Sequence, residues 1–90
     1  MPFSILVVAT DPDSRIAMER MLSATGNMVT SVAEFAAAQQ RLVYAPPDLL
    51  VTVVKLAAHN GIHLVLRAQA DHPGTRAIVM HSEVYPFIDA

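Results

Sequence analysis

The sequence predicts an α/β domain built on a doubly wound parallel sheet, with helices on both faces. Apolar runs rich in Val, Ile and Leu recur at residues 3–8, 49–54 and 77–80. They lack in/out alternation, as expected of strands that are buried on both faces of a parallel sheet. A more polar run at residues 28–32 fits an edge strand. Short segments with helical periodicity separate these runs, which favours right-handed β-α-β crossovers.

The first helix is predicted to begin at Pro12 and to end before Gly26. Asp11 can cap the free N–H groups, Pro suits the first helical position, and Asp13 complements the positive end of the helix dipole. Gly26 can adopt the left-handed conformation that ends a helix. The methionines of this region are interpreted as core or near-core residues, together with Leu22, and they are Met18, Met21 and Met28.

The second helix is predicted to carry Phe35, Ala38 and Leu42 on one side. It must end before the two prolines at residues 46–47, because the residue before a proline avoids helical geometry. Residues 31–34 read Ser-Val-Ala-Glu, which fits a capping box, although Ser31 also fits the end of the preceding strand.

The third helix is predicted to open near Gly61 and to stop at residues 72–74, which read His-Pro-Gly. Its apolar residues Ile62, Val65 and Leu66 fall on one side. The resulting order is β-α-β-α-β-α-β. In sheets of this kind, binding sites lie at the carboxyl ends of the strands.

Composition limits the function classes that this single domain, residues 1–90, can serve. A net charge of −2 with six scattered Lys and Arg offers no basic patch, so we expect no direct contact with nucleic acid. The chain has no Cys and no apolar run of the length that spans a membrane. The start is apolar but has no basic region and no cleavage site of a signal peptide, so a cytoplasmic location is expected.

Several segments resemble the response-regulator receiver family, the CheY-like domain of two-component systems. Residues 5–8 (ILVV) followed by residues 11–13 (DPD) are similar to its first strand and helix start, and residues 47–51 (PDLLV) to its third strand. Residues 60–61 (NG) are similar to its entry to the third helix, and residues 67–78 (RAQADHPGTRAI) to its lead into the fourth strand. The resemblance implies a flavodoxin-like sheet of strand order 2-1-3-4 that lacks the last helix-strand-helix of a full receiver.

The resemblance also implies that the active positions are degenerate. The two adjacent acids that hold magnesium in receivers correspond to Ala9 and Thr10, and the phosphoacceptor aspartate corresponds to Val53. The hydroxyl residue that senses the phosphoryl group corresponds to His81, beside Ser82. Aspartyl phosphorylation needs a carboxylate nucleophile and a divalent cation, and these positions supply neither.

The function implied is that of a degenerate, phosphorylation-independent receiver-like domain, a protein-interaction module in two-component signal transduction. It is expected not to be an enzyme and to need no cofactor or metal. The implied partners are a signalling kinase or phosphorelay protein and an output domain.

Two alternatives use the carboxyl edge of the sheet differently. A small ligand could be held there by Thr10, Asp11, His59 and His81, but no Gly-rich phosphate loop supports it. His59 and His63 are four residues apart, a spacing that can bind a metal on a helix, and His81 can lie at the same sheet edge, but no third ligand is evident. Ordinary surface histidines are the preferred interpretation.

The fourth strand is expected to lie at an exposed sheet edge, which calls for a covering element. Three arrangements stay open. Residues 84–88 (VYPFI) fold back over the edge, a second copy or another protein pairs with it, or the chain is an inactive fragment of a larger response regulator.

Overall fold

The computed structural model describes residues 3–53, 55–56 and 59–80 of the chain. Strands and helices alternate along it. The strands are β1 (Ser4–Val8), β2 (Met28–Val32), β3 (Leu49–Val53), β4 (Lys55–Leu56), β5 (His59–Asn60) and β6 (Arg76–Met80). The helices are α1 (Pro12–Ser23), α2 (Phe35–Tyr44) and α3 (Gly61–Asp71). Among these helices, none has the length and apolarity needed to cross a bilayer.

The main sheet has four parallel strands in the order β2-β1-β3-β6. This confirms the predicted order 2-1-3-4, in which β6 is the fourth strand. The predicted strands agree with the observed ones within one residue at most ends, and residue 54 lies outside the described range. Two short strands, β4 and β5, form an antiparallel pair of two residues each between β3 and α3 and are absent from the predicted order.

The core lies between the two central strands and the helices. Residues 5–9 and the inner residues of β3 are buried together with Met18, Leu42 and Leu64. Both central strands are apolar on both faces because helices cover both, as the unbroken Val, Ile and Leu runs predicted.

Asp48 joins the amino ends of three strands. Its carboxylate accepts a hydrogen bond from the Ser4 N–H at 2.9 Å, and its own N–H donates to the Ser4 carbonyl oxygen at 2.8 Å. Its carbonyl oxygen accepts from the Arg76 N–H at 3.0 Å. This residue therefore sets the mutual positions of β1, β3 and β6.

Helices lie on both faces of the sheet, as predicted. Ser31 of β2 donates to Glu19 of α1 at 2.6 Å, whereas its neighbour Thr30 accepts from Arg41 of α2 at 3.1 Å. Because consecutive strand residues point to opposite faces, α1 and α2 cover opposite sides of the sheet. The third helix contacts α2, β3 and β6, so it shares the face of α2.

The predicted start and end of α1 are confirmed. The Asp11 carboxylate accepts from the Ser14 N–H at 2.9 Å, and Gly26 has a φ of 85°. The capping box predicted for α2 is wrong, since Glu34 occupies the cap position with no side-chain hydrogen bond. Ser31 remains in β2, where its hydroxyl is committed to Glu19.

Several side chains that were expected to be buried are exposed. Only Met18 of the three methionines lies in the core, and Met21 and Met28 are 46% and 68% exposed. The predicted buried side of α3 is right only for Val65, which is half-buried against the core. Leu64 and Ala68 face the core, while Ile62 and Leu66 face outward.

The rotation of α3 follows from Gly61. A Cβ atom at this position would collide with the carbonyl oxygen of Val53 and lie 2.8 Å from Thr52 Oγ1. Gly61 therefore faces the sheet, and at about 100° per residue Leu64 and Ala68 follow on the same side. The periodicity alone does not reveal this, because apolar residues surround much of the helix.

We expect Gly61→Ala to lower the free energy of unfolding by about 1–3 kcal/mol, since the added methyl group meets backbone atoms that cannot move aside. Gly74→Ala is the matched control, because a Cβ there meets no atom within 4 Å. Its effect is expected to stay within about 0.5 kcal/mol. Urea unfolding of both variants measures this, and equal stability of the two would contradict the account.

Candidate functional site at the carboxyl edge of the sheet

The predicted site lies where β1 and β3 end side by side. Val8, the last residue of β1, is in register with Thr52 of β3. Ala9, which follows β1, and Val53, which ends β3, therefore mark the carboxyl ends of the two neighbouring strands. Both side chains belong to the hydrophobic core, with exposures of 0% and 2%. These positions therefore contribute to packing instead of presenting polar groups at the edge.

The start of α3 closes this part of the edge from one side. Gly61 packs directly against the Val53 carbonyl, and the Thr52 hydroxyl donates to the same oxygen at 3.0 Å. The Asn60 side chain caps the helix by accepting from the Ile62 N–H at 2.8 Å. Polar groups around the end of β3 are thus bonded to one another within the chain.

Arg15 lies beside the loop that follows β1. Its guanidinium donates to the carbonyl oxygens of Ala9 at 3.0 Å and Thr10 at 3.4 Å. A cation is therefore already placed on the backbone oxygens of this loop, where it opposes the approach of a divalent metal. Arg15 was not among the predicted site residues, although its place four positions after the cap residue Asp11 puts it on the first turn of α1, beside this loop.

Two carboxylates near this end of β1 are engaged in hydrogen bonds. Asp11 caps α1, and Thr10, which precedes it, is exposed and carries no carboxylate. Glu19 is bonded to Ser31. Within the described ranges, no group of three His, Cys, Asp or Glu side chains has the arrangement of a metal site.

The remaining predicted site residues are only partly placed. His63 is exposed on the first turn of α3. The side chain of His59, and all of His81, Ser82 and residues 84–88, lie outside what the structure describes. The ligand and metal alternatives that depend on them stay predictions.

Three cavities lie elsewhere on the described surface. A groove of about 270 Å³ runs between α2 and α3, past Tyr44 and Arg67. A second, also about 270 Å³, lies at the amino ends of β1 and β2. The largest of these, about 600 Å³, lies beside β6 and is lined by Phe3, Asp48, Leu49, Gly74, Arg76, Ala77 and Ile78.

The outer edge of β6 is the second candidate site. Within the described residues, β6 pairs with β3 on one side and has no strand on the other. Ile78 and Val79 are 51% and 39% exposed, and they point to opposite faces of the sheet. Apolar surface therefore flanks this edge on both faces.

Solved structures show which fold this is. The N-terminal domain of a response regulator receiver protein from Methanoculleus marisnigri JR1 superposes with a TM-score of 0.74 at 23% identity, over 87% of this chain and 65% of that one. The chemotaxis response regulator CheY4 of Vibrio cholerae gives 0.80 at 18% identity, over 89% and 68%. The response regulator PhyR from Brucella abortus gives 0.81 at 18% identity, over 97% and 37%.

The chain thus has the flavodoxin-like fold of CheY-like receiver domains, as the resemblance implied. It spans 65% of the Methanoculleus chain and 37% of the Brucella chain. No protein-family model matches the sequence, and no curated protein matches it. At these identities the likeness establishes the fold, and function must be argued from the residues at the two edges.

We expect Val53→Asp to lower the free energy of unfolding by at least about 1 kcal/mol at neutral pH, because it buries an unpaired charge. Burial raises the pKa of the introduced carboxyl group above its unfolded value. The loss should therefore shrink as the pH falls toward about 4, where the folded form holds the proton. Val53→Asn is the control, with a loss that does not change with pH. An unchanged or raised denaturation midpoint for Val53→Asp would contradict the buried placement.

Proposed function

We propose that the chain acts as a degenerate, phosphorylation-independent receiver-like domain, a protein-interaction module in two-component-type signal transduction. The receiver fold supports the signalling context. The observation that carries the rest of the proposal is the placement of Val53, which corresponds to the phosphoacceptor and is packed in the core.

The neighbouring positions support the same reading. Ala9 and Thr10 correspond to the magnesium-binding acids and supply no carboxylate, while the Arg15 guanidinium sits on their carbonyl oxygens. Phosphoryl transfer to an aspartate needs a nucleophilic oxygen and a cation that bridges acid and phosphoryl oxygens. Ala9, Thr10 and Val53 carry no carboxylate that could accept the phosphoryl group or hold the cation, so the proposal assigns no enzymatic activity and no cofactor.

A module of this kind would work by contact with other proteins. The proposed partners are a signalling kinase, an output domain, or another copy of the chain, bound at the open edge of β6. Apolar side chains on both faces of that edge support this choice, since such surface usually marks an interaction site. The proposal keeps the cytoplasmic location expected from the sequence, with no membrane or nucleic-acid contact.

The small-ligand alternative is less favoured. It requires a pocket at the carboxyl edge, but Ala9 and Val53 are buried there and Gly61 packs against the Val53 carbonyl. A thermal-shift screen with phosphorylated metabolites and with zinc or nickel tests this alternative, and a saturable stabilisation that disappears in Thr10→Ala would favour it.

We expect no phosphoryl incorporation when the protein is incubated with acetyl phosphate and magnesium, and none in Val53→Asp either, because Ala9, Thr10 and Arg15 still exclude the metal. Intact-mass spectrometry and radiolabel transfer measure this, with an active receiver domain as the positive control. Acid-stable, hydroxylamine-resistant labelling would point to another residue. Hydroxylamine-sensitive labelling of the unmodified protein would overturn the proposed function.

A further inference from the structure

The hydrogen-bonding groups of β6 divide between its two sides in a defined way. The Arg76 N–H donates to the Asp48 carbonyl oxygen, so the backbone groups of Arg76 face β3. Because these groups alternate along a strand, those of Ile78 and Met80 also face β3, in agreement with the parallel register. The N–H and C=O groups of Ala77 and Val79 consequently point away from the sheet.

This edge has few of the features that prevent strand addition. Natural edges are protected by Lys, Pro, bulges or very short strands. The sequence of β6, RAIVM, has five residues, no Pro and one charge, which is at its first position. Ala77 and Val79, the residues whose backbone groups point away from the sheet, both have apolar side chains.

The strand is complementary to itself in an antiparallel arrangement. We propose that the occupant of this edge is β6 of a second copy of the chain. A two-fold axis that passes between the two Ile78 residues relates the copies. Ala77 of each copy then lies opposite Val79 of the other. Both residues have outward N–H and C=O groups, so the two pairs form four hydrogen bonds and join the sheets into one of eight strands.

The side chains also fit this register. Ile78 meets Ile78 of the second copy in a pair without hydrogen bonds, where antiparallel strands bring side chains closest. Arg76 lies opposite Met80, so the single charge of the strand does not face its own copy. A shift of this register by one residue would place backbone groups that face β3 opposite backbone groups that face the second copy, and the hydrogen bonds between the two copies would be lost.

Flanking surface must enlarge the interface, since two short strands bury less than the roughly 1,200–2,000 Å² of a stable complex. On one face, Phe3, Leu49 and Ile78 line the 600 Å³ groove beside β6. On the other, Arg67 and Asp71 of α3 line the groove toward α2, so the opposite flank of that helix faces the open side of the sheet. That flank carries the exposed Ile62, and beside it Val65 is half-buried against the core.

The inference deepens the proposed function by naming the partner at the β6 edge. Val79→Pro tests it, because proline removes an outward N–H that the second copy needs and leaves the inward groups of the β3 ladder in place. We expect the dimer dissociation constant from analytical ultracentrifugation to rise at least about tenfold. Val79→Thr, which keeps the N–H and the branched shape, should dimerise like the parent, and circular dichroism of both should stay unchanged.

Cysteine cross-linking tests the register, since the chain has no Cys of its own. Ile78→Cys should form a disulfide-linked dimer under mild oxidation, because the paired Cα atoms lie about 4.5 Å apart, within disulfide range. Ala77→Cys, one residue away and facing Val79, should cross-link at least about tenfold more slowly. Equal cross-linking of the two variants would overturn the register.

The remaining outcomes also decide the question. A parent protein that stays monomeric at all concentrations overturns the inference and leaves residues 81–90 or another protein as the occupant. A dimer that survives Val79→Pro overturns it in favour of another interface. Neither result bears on the phosphorylation-independent character of the proposed function, which the labelling by acetyl phosphate tests separately.

Discussion

The contact between the first turn of α3 and the carboxyl end of β3 is the constraint on which the rest of the structure depends. Gly61 lies against the Val53 carbonyl so closely that no side chain fits between them. This contact fixes the rotation of α3, buries Leu64 and Ala68, and leaves Ile62 and Leu66 on the surface. It also closes one side of the edge at which doubly wound sheets ordinarily bind ligands.

The packing of the carboxyl edge limits the binding of ligands and metals there. Doubly wound sheets ordinarily bind ligands through polar groups at the carboxyl ends of their strands. Here Ala9 and Val53 belong to the core, and Arg15 supplies the loop with its own cation. Among the described residues, β6 presents backbone hydrogen-bonding groups and apolar side chains together along its outer edge. We therefore propose that partners bind at this strand edge and that the carboxyl edge contributes to stability.

Much of the fold could be predicted from the sequence, because its signals are local. The apolar runs identify the four main strands, and Asp11, Pro12 and Gly26 identify the bounds of α1. The two-residue strands β4 and β5 carry no such signal, since two residues show no periodicity. The rotation of α3 was missed because it depends on a contact between Gly61 and Val53 rather than on the pattern within the helix.

The site was predicted less completely for a related reason. The correspondence of Ala9, Thr10 and Val53 to the receiver positions stays a prediction from the resemblance, whereas the hydrogen bonds of Arg15 depend on how the loop after β1 folds. Likewise, apolar residues identified β6 as a strand, but only its pairing with β3 shows that Ala77 and Val79 point their backbone groups outward. Sequence patterns locate the strands and helices, whereas contacts between these elements determine which backbone groups and side chains are accessible at the sheet edges.

The most direct test of the central claim is a titration of the ¹⁵N-labelled protein with magnesium, followed by beryllofluoride, monitored through its backbone amide resonances. The account predicts no saturable shift at Ala9, Thr10 or Val53, because these three residues carry no carboxylate and the start of α3 packs against the end of β3. Saturable magnesium-dependent shifts at these amides, increased by beryllofluoride, would show a working phosphoryl site and contradict the account.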